Sequence, residues 1–263
     1  MKWPLLILAI LSSAALNAPI WAAEDADLRS LMVNGEYSAA YVAAEEQQTA
    51  SAKALAAEIL LSEIMLGQAE KNKKQAKRAR KLAEAALEID PSDQNARLQY
   101  AIADGFVTRE TGDVSAWMKK LPQKTEAIVN AYRQDFPADP RGDALLGAWH
   151  LAIARKAGNK NADKWFGASI SEGRRLFLSA QSNRPDDIIV GTNYAFSLLA
   201  LNDEDFPSSE EARRILLKLI TLQPQDHLEK VLQSYANEAL LRIDNRDAVR
   251  EYAEMFLDGK TPE

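Results

Sequence analysis

Two histidines, His150 and His227, are the only imidazoles in this 263-residue chain, and it has no cysteine. A zinc or transition-metal site needs several nitrogen or sulfur donors at close spacing, as in a His-x-x-x-His pair. These two histidines have no such neighbour. His150 follows Trp149 on a stretch whose Leu145, Leu146 and Ile153 share a helical face, so it reads as packed or hydrogen-bonded between helices. His227 stands beside Asp226 at a helix start and is expected in solvent. The chain has no HExxH, GxSxG, SxxK, GxGxxG or glycine-rich phosphate loop, the usual signatures of zinc, nucleophilic and nucleotide chemistry. Pairing among its 38 acidic residues is a spatial matter that sequence does not reveal. The expectation is a protein that is not an enzyme, with no catalytic residue, metal or cofactor.

The sharpest charge feature is KNKKQAKRARK, residues 71–81, with seven basic residues and no acid. Lys71, Lys73, Lys74, Lys77, Arg78, Arg80 and Lys81 form a candidate patch for an anionic partner such as a headgroup, a glycan phosphate or an acidic peptide. The plain alternative is a solvated outer helix face. Against a net charge of −6 the run is local, and a nucleic-acid binder, which must neutralise phosphate, is not expected. Trp117, Trp149, Trp165 and Phe166 gather in the middle third, read first as packing between helices and second as a stacking surface for a ligand. Asp203-Glu204-Asp205-Phe206-Pro207 reads as a solvent loop.

Composition sets the frame for these groups. With 47% hydrophobic residues, 11 Gly and 10 Pro, the chain is too apolar for disorder and too poor in Gly and Pro for a fibrous protein. Residues 1–23 (MKWPLLILAILSSAALNAPIWAA) place Lys2 before an apolar run and end on small residues, the pattern of a secretory signal peptide. A retained anchor is the rival reading, weakened by the short apolar run and by Pro19. An exported, cysteine-free protein fits the bacterial periplasm. The rest, residues 24–263, reads as one domain with no stable membrane span after cleavage. Without Lys2 it carries −7, so everything outside the basic run sums to −14.

The elements that must position these residues read as helices almost throughout. Leu55, Ile59, Leu66, Leu60 and Ile64 recur at spacings of three, four and seven, which makes a broad apolar face. Residues 76–89 set Ala79, Leu82, Ala83, Ala86 and Leu87 against Lys and Arg, and 210–222 carry Ile215, Leu216, Leu219 and Ile220. Strand signals are nearly absent; Ile188-Ile189-Val190 follows Arg184-Pro185-Asp186-Asp187 and reads as helix. Pro91, Pro140, Pro185 and Pro224 separate amphipathic segments, with Asp90 and Asp139 placed to cap and Ser208/Glu211 and Asp226/Glu229 at capping-box spacing. The prolines lie 49, 45 and 39 residues apart, a repeat of about two helices with variable loops.

Leu66-Gly67, Ala79, Ala83, Ala86 and Pro91 stand at the spacings of a tetratricopeptide (TPR) repeat, and LAEAALEIDP (82–91) resembles its second helix and exit turn. Residues 213–224, with Ala212 twelve before Pro224, resemble the same second helix, and Leu146-Gly147 resembles the first-helix signature. Small residues there let neighbouring hairpins nest. The chain departs from the motif at Glu70 and His150, where an aromatic is usual, and in two longer units. Its layout is also similar to the TPR-like domain of regulator of microtubule dynamics proteins and to the TPR subunit of TRAP-type transporters. The resemblance implies an all-α superhelix of antiparallel hairpins with a groove for a protein or peptide. It places Gln68, Lys71, Asn72, Ala148, Leu151 and Ala152 on that groove, with Asn193 and Tyr194 from a fourth unit. The expected function is a non-catalytic scaffold or adaptor of the periplasm; the alternative is a solute-binding accessory of a transport system.

Overall fold

The computed structural model describes residues 20–201 and 208–262. The expected leader, residues 1–23, lies almost entirely outside them, and so does the loop at 203–207. The protein is all-α, with fourteen helices and no strand among the described residues. Helices α1 (Ile20–Val33) and α2 (Tyr37–Glu46) lead into α3 (Ala50–Met65), α4 (Asn72–Ile89) and α5 (Gln94–Arg109). The short α6 (Asp113–Met118) precedes α7 (Leu121–Asp135) and α8 (Pro140–Ala157). The short α9 (Asn159–Phe166) then precedes α10 (Ile170–Asn183), α11 (Ile188–Leu199) and α12 (Ser208–Leu219). Helices α13 (His227–Arg242) and α14 (Arg246–Leu257) close the chain.

Local chemistry explains where these helices begin. Seven of them open on a Thr, Ser, Asp or Asn whose side chain accepts from an amide of the first turn: Thr49, Asp93, Asp139, Ser169, Asp187, Asp226 and Asn245. Each satisfies a donor that has no intrahelical partner. At Asp226 half of the box forms, with Asp226 accepting from Glu229 N at 2.8 Å; Glu229 reaches one residue further back and accepts from Gln225 N at 2.7 Å. Asp139-Pro140 opens α8 as expected. Asp90 does something else. It accepts from Ser92 N at 2.9 Å in a turn, and Asp93 is the residue that caps α5. Glu211 of α12 has its carboxylate in the core, where it accepts from the Tyr194 hydroxyl; the side chain of Ser208, the other half of that expected box, lies outside the described residues.

Consecutive helices pack as neighbours, α3 with α4, α4 with α5, α7 with α8 and α11 with α12, and α8 packs against α10 across the short α9. Small residues set the spacing. Ala76, Ala79, Ala83 and Ala86 of α4 are fully buried against α3 and α5. Where α8 crosses α10, a Cβ on Gly147 would meet Phe177 Cδ2 at 2.9 Å and the Gly173 carbonyl at 3.0 Å. Gly67 has a different role from the one the repeat pattern assigns. It follows α3 at φ +69°, and a Cβ there would fall 2.2 Å from the backbone nitrogen of Thr261. The two longer intervals between prolines, 91–140 and 140–185, each hold a short third helix, α6 in the first and α9 in the second. A continuous core runs from Leu28 to Phe256. Phe196 of α11 meets Phe256 of α14 edge-on at 4.7 Å between ring centres.

Candidate functional site

The segment after α14 returns to the first hairpins and ties them together. Asn72 Nδ2 donates to the Gly259 carbonyl at 2.8 Å, and Arg109 Nη1 donates to that of Leu257 at 2.8 Å. Arg155 pairs with Asp258 at 3.1 Å, and Thr261 donates to the Gly67 carbonyl at 3.2 Å. Burial lowers the Arg109 pKa, an effect that Glu110 opposes. Asn72 Oδ1, Arg109 Nη2 and Arg155 Nε reach no hydrogen-bond partner among the described residues in this polar seam. Beside it lies a shallow, open depression lined by Ala69, Glu70, Glu110 and Lys260 among others.

This return corrects part of the expected groove. Asn72 is occupied by the chain's own C-terminal segment, while Gln68 and Lys71 remain exposed next to it. Leu151 and Tyr194 are core residues, 1% and 0% exposed. Leu151 fills the space over Gly173, and Tyr194 stacks on Phe177 at 4.6 Å between ring centres. Ala148 is half-buried against the core and Ala152 faces solvent. Asn193 is half-buried and donates back to the Ile189 carbonyl of its own helix at 2.9 Å. These eight residues do not form one surface.

The basic run does form one. Lys71, Lys73, Lys74, Lys77, Arg78 and Lys81 are exposed on α4 and the residue before it, opposite the buried alanines. Two of the seven cations have structural partners. Arg78 pairs with Glu45 at 2.7 Å and lies 4.9 Å over the Tyr41 ring; its hydrogen bond to Glu45 raises its pKa. Arg80 pairs with Asp104 at 3.1 Å, which Thr125 also bonds at 2.7 Å. Lys71, Lys73, Lys74, Lys77 and Lys81 have no carboxylate partner among the described residues. An array of five free ammonium groups suits a polyanion, because held counter-charges screen their mutual repulsion.

His150 is buried between α8 and α10, where Nδ1 accepts from Ser169 N at 3.2 Å. Burial lowers its pKa, with Glu172 opposing. His227 is not simply solvated: it is half-buried, edge-on to the Tyr37 ring and against Gly35. No group of three or more His, Asp or Glu is placed to hold a metal among the described residues. Trp149 is in the core and donates from Nε1 to the Pro122 carbonyl at 2.9 Å. Phe166 is partly buried against the core. Trp117 and Trp165 are 60% and 55% exposed, so packing between hairpins accounts for Trp149 and Phe166 but not for them.

Sequence reading missed Asp139 as a junction. Its carboxylate accepts from Arg141 N at 3.0 Å, from Gln94 of α5 at 2.8 Å, and from the Tyr132 hydroxyl of α7. A capping position was visible; the long-range donors were not. No helix among the described residues is long and apolar enough to cross a membrane. No protein-family model matches the chain, and no curated protein matches it either.

Proposed function

We propose that this chain is a non-catalytic, TPR-like scaffold of the bacterial periplasm that binds an acidic segment of a protein partner along the outer face of α4. The single observation behind this reading is the row of lysines at 71, 73, 74, 77 and 81, which have no carboxylate partner among the described residues and are set in a protein of net charge −6. A solvated helix face does not need like charges concentrated on one side, since they repel by a few tenths of a kcal/mol per pair. An extended acidic peptide lying across the helix would meet several of them at once. The fully buried alanines behind them brace the face, so little ordering cost accompanies binding.

The test is affinity capture from a periplasmic extract with the parent and with a Lys73→Gln, Lys74→Gln, Lys77→Gln variant. Arg78 and Arg80 stay untouched because they hold Glu45 and Asp104. An acidic protein captured by the parent, released by 1 M salt and absent from the variant supports the reading. Screening predicts that salt sensitivity, because the Debye length falls from about 10 Å at 0.1 M to about 3 Å at 1 M. A partner that both proteins capture equally at low salt removes the lysine face from the function.

A further inference from the structure

The two extra helices, α6 and α9, end up at the same end of the molecule. Helices α7 and α8 run antiparallel. Trp149 Nε1 donates to the Pro122 carbonyl near the start of α7, and Arg133 near its end bonds Asp143 near the start of α8 at 2.8 Å. Helix α6 therefore precedes α7 at the end where α8 finishes, and α9 begins there, after Gly158. Insertions into a repeat array that project on one side mark a surface serving something other than the core.

What these insertions display is specific. Trp117, Met118, Lys119 and Lys120 are all exposed, Met118 at 73%, and Lys120 turns the chain at φ +53° into α7. Trp165, also exposed, sits beside Lys164 on α9. From the start of α6, residues 113–124 hold three lysines and one acid, Asp113, and residues 156–166 hold three lysines and one acid, Asp163. In a chain of net charge −6 this end is basic and carries two bare indoles. Scattered exposed leucines elsewhere need no explanation. An exposed Trp-Met pair flanked by lysines is a different arrangement. Its apolar part is about one helical turn, far below the roughly 800 Å² per partner of a stable protein interface. It matches the headgroup layer of a bilayer, where indoles prefer to lie and lysines meet lipid phosphate.

We infer that the α6/α9 end docks onto an anionic phospholipid surface, with Trp117 and Met118 entering the headgroup layer and Lys119 and Lys120 contacting its phosphates. This surface is distinct from the lysine face of α4 and orients the described helices at a membrane through a peripheral contact. Its occupant is a lipid bilayer, and the contact is peripheral and reversible.

The absence of cysteine gives a direct test with the full chain. An environment-sensitive dye is placed at Met118→Cys and, in a second protein, at Leu241→Cys, which is 73% exposed on α13. Each is mixed with vesicles of phosphatidylglycerol and phosphatidylcholine, or of phosphatidylcholine alone. The expected result is a blue shift at position 118 with the anionic vesicles only, and none at position 241. This readout separates the tip from any attachment through residues 1–23, which would pull down both proteins but leave the dye at 118 in water. Lys119→Gln with Lys120→Gln should weaken the response about 10- to 30-fold, since each lysine near a charged surface adds roughly fivefold. A dye at 118 that stays in water, or responds equally to neutral vesicles, overturns the inference. So does loss of the response in the Lys73→Gln, Lys74→Gln, Lys77→Gln variant, which would move lipid binding to α4.

Discussion

Asp139 shows how much one side chain can hold. It caps α8, receives Gln94 from α5 and Tyr132 from α7, and pairs with Arg141. Burial by itself would raise its pKa, but the donors from Arg141 and Tyr132 outweigh it and hold the carboxyl well below the usual carboxylate range. The partner responds in kind, because burial and the Asp139 hydrogen bond push the Tyr132 phenol up to about 12. A depressed carboxylate stabilises the fold above its unfolded pKa of about 3.9 and loses that contribution as pH falls through the folded value. Asp139→Asn should therefore cost about 1.5–3 kcal/mol at pH 7, the range for hydrogen bonds to a charged group. Denaturant unfolding of parent and variant at a series of pH values checks this. The difference should be flat between pH 7 and about 5 and shrink below about 4; a pH-independent difference would mean that only the cap geometry matters.

At the scale of elements, glycine shows that the same change has opposite signs in two helices. Gly147 of α8 faces Phe177 and the Gly173 carbonyl too closely for a Cβ. Gly147→Ala must push α8 and α10 apart, an overpacking cost of about 1–3 kcal/mol. Gly105 of α5 meets only Thr125 Cγ2, at 3.9 Å. Gly105→Ala should be neutral or stabilising by up to about 1 kcal/mol, through helix propensity alone. Thermal unfolding of both variants side by side decides it, with a lower Tm for the first and an unchanged or higher Tm for the second. If Gly147→Ala matched the parent, the α8/α10 crossing would be looser than described.

The molecule as a whole is closed by its last few residues. Leu257 to Thr261 contact the end of α3, the start of α4, the end of α5 and the last turns of α8. Removing residues 258–263 should expose Asn72 and Arg109, and lower Tm by about 6–16 °C if three or four hydrogen bonds of about 1 kcal/mol each are lost. Hydrogen exchange is the discriminating measurement. Amides around 64–72 and 106–110 should exchange faster although they are distant in sequence from the cut, whereas α10 should be unaffected. An effect confined to α14 would show that the returning segment is a passive tail.

The sequence by itself determined the helices, because their signals are local. Apolar spacing of three and four, Asp and Thr at helix starts, and the run of alanines in α4 act within a few residues, and the structure carries them. The basic face of α4 was equally legible, since charges opposite a buried alanine stripe have only solvent to face. Only tertiary structure decided which cations stay free, because the carboxylates that take Arg78 and Arg80 come from α2 and α5. It decided that Leu151 is core while Ala152 is not, through the glycine of α10 that Leu151 covers. It alone set α6 and α9 at one end. The bond from Asn72 to Gly259 spans 187 residues, and a contact of that separation leaves no periodicity in the chain, since it depends on how every helix between them stacks.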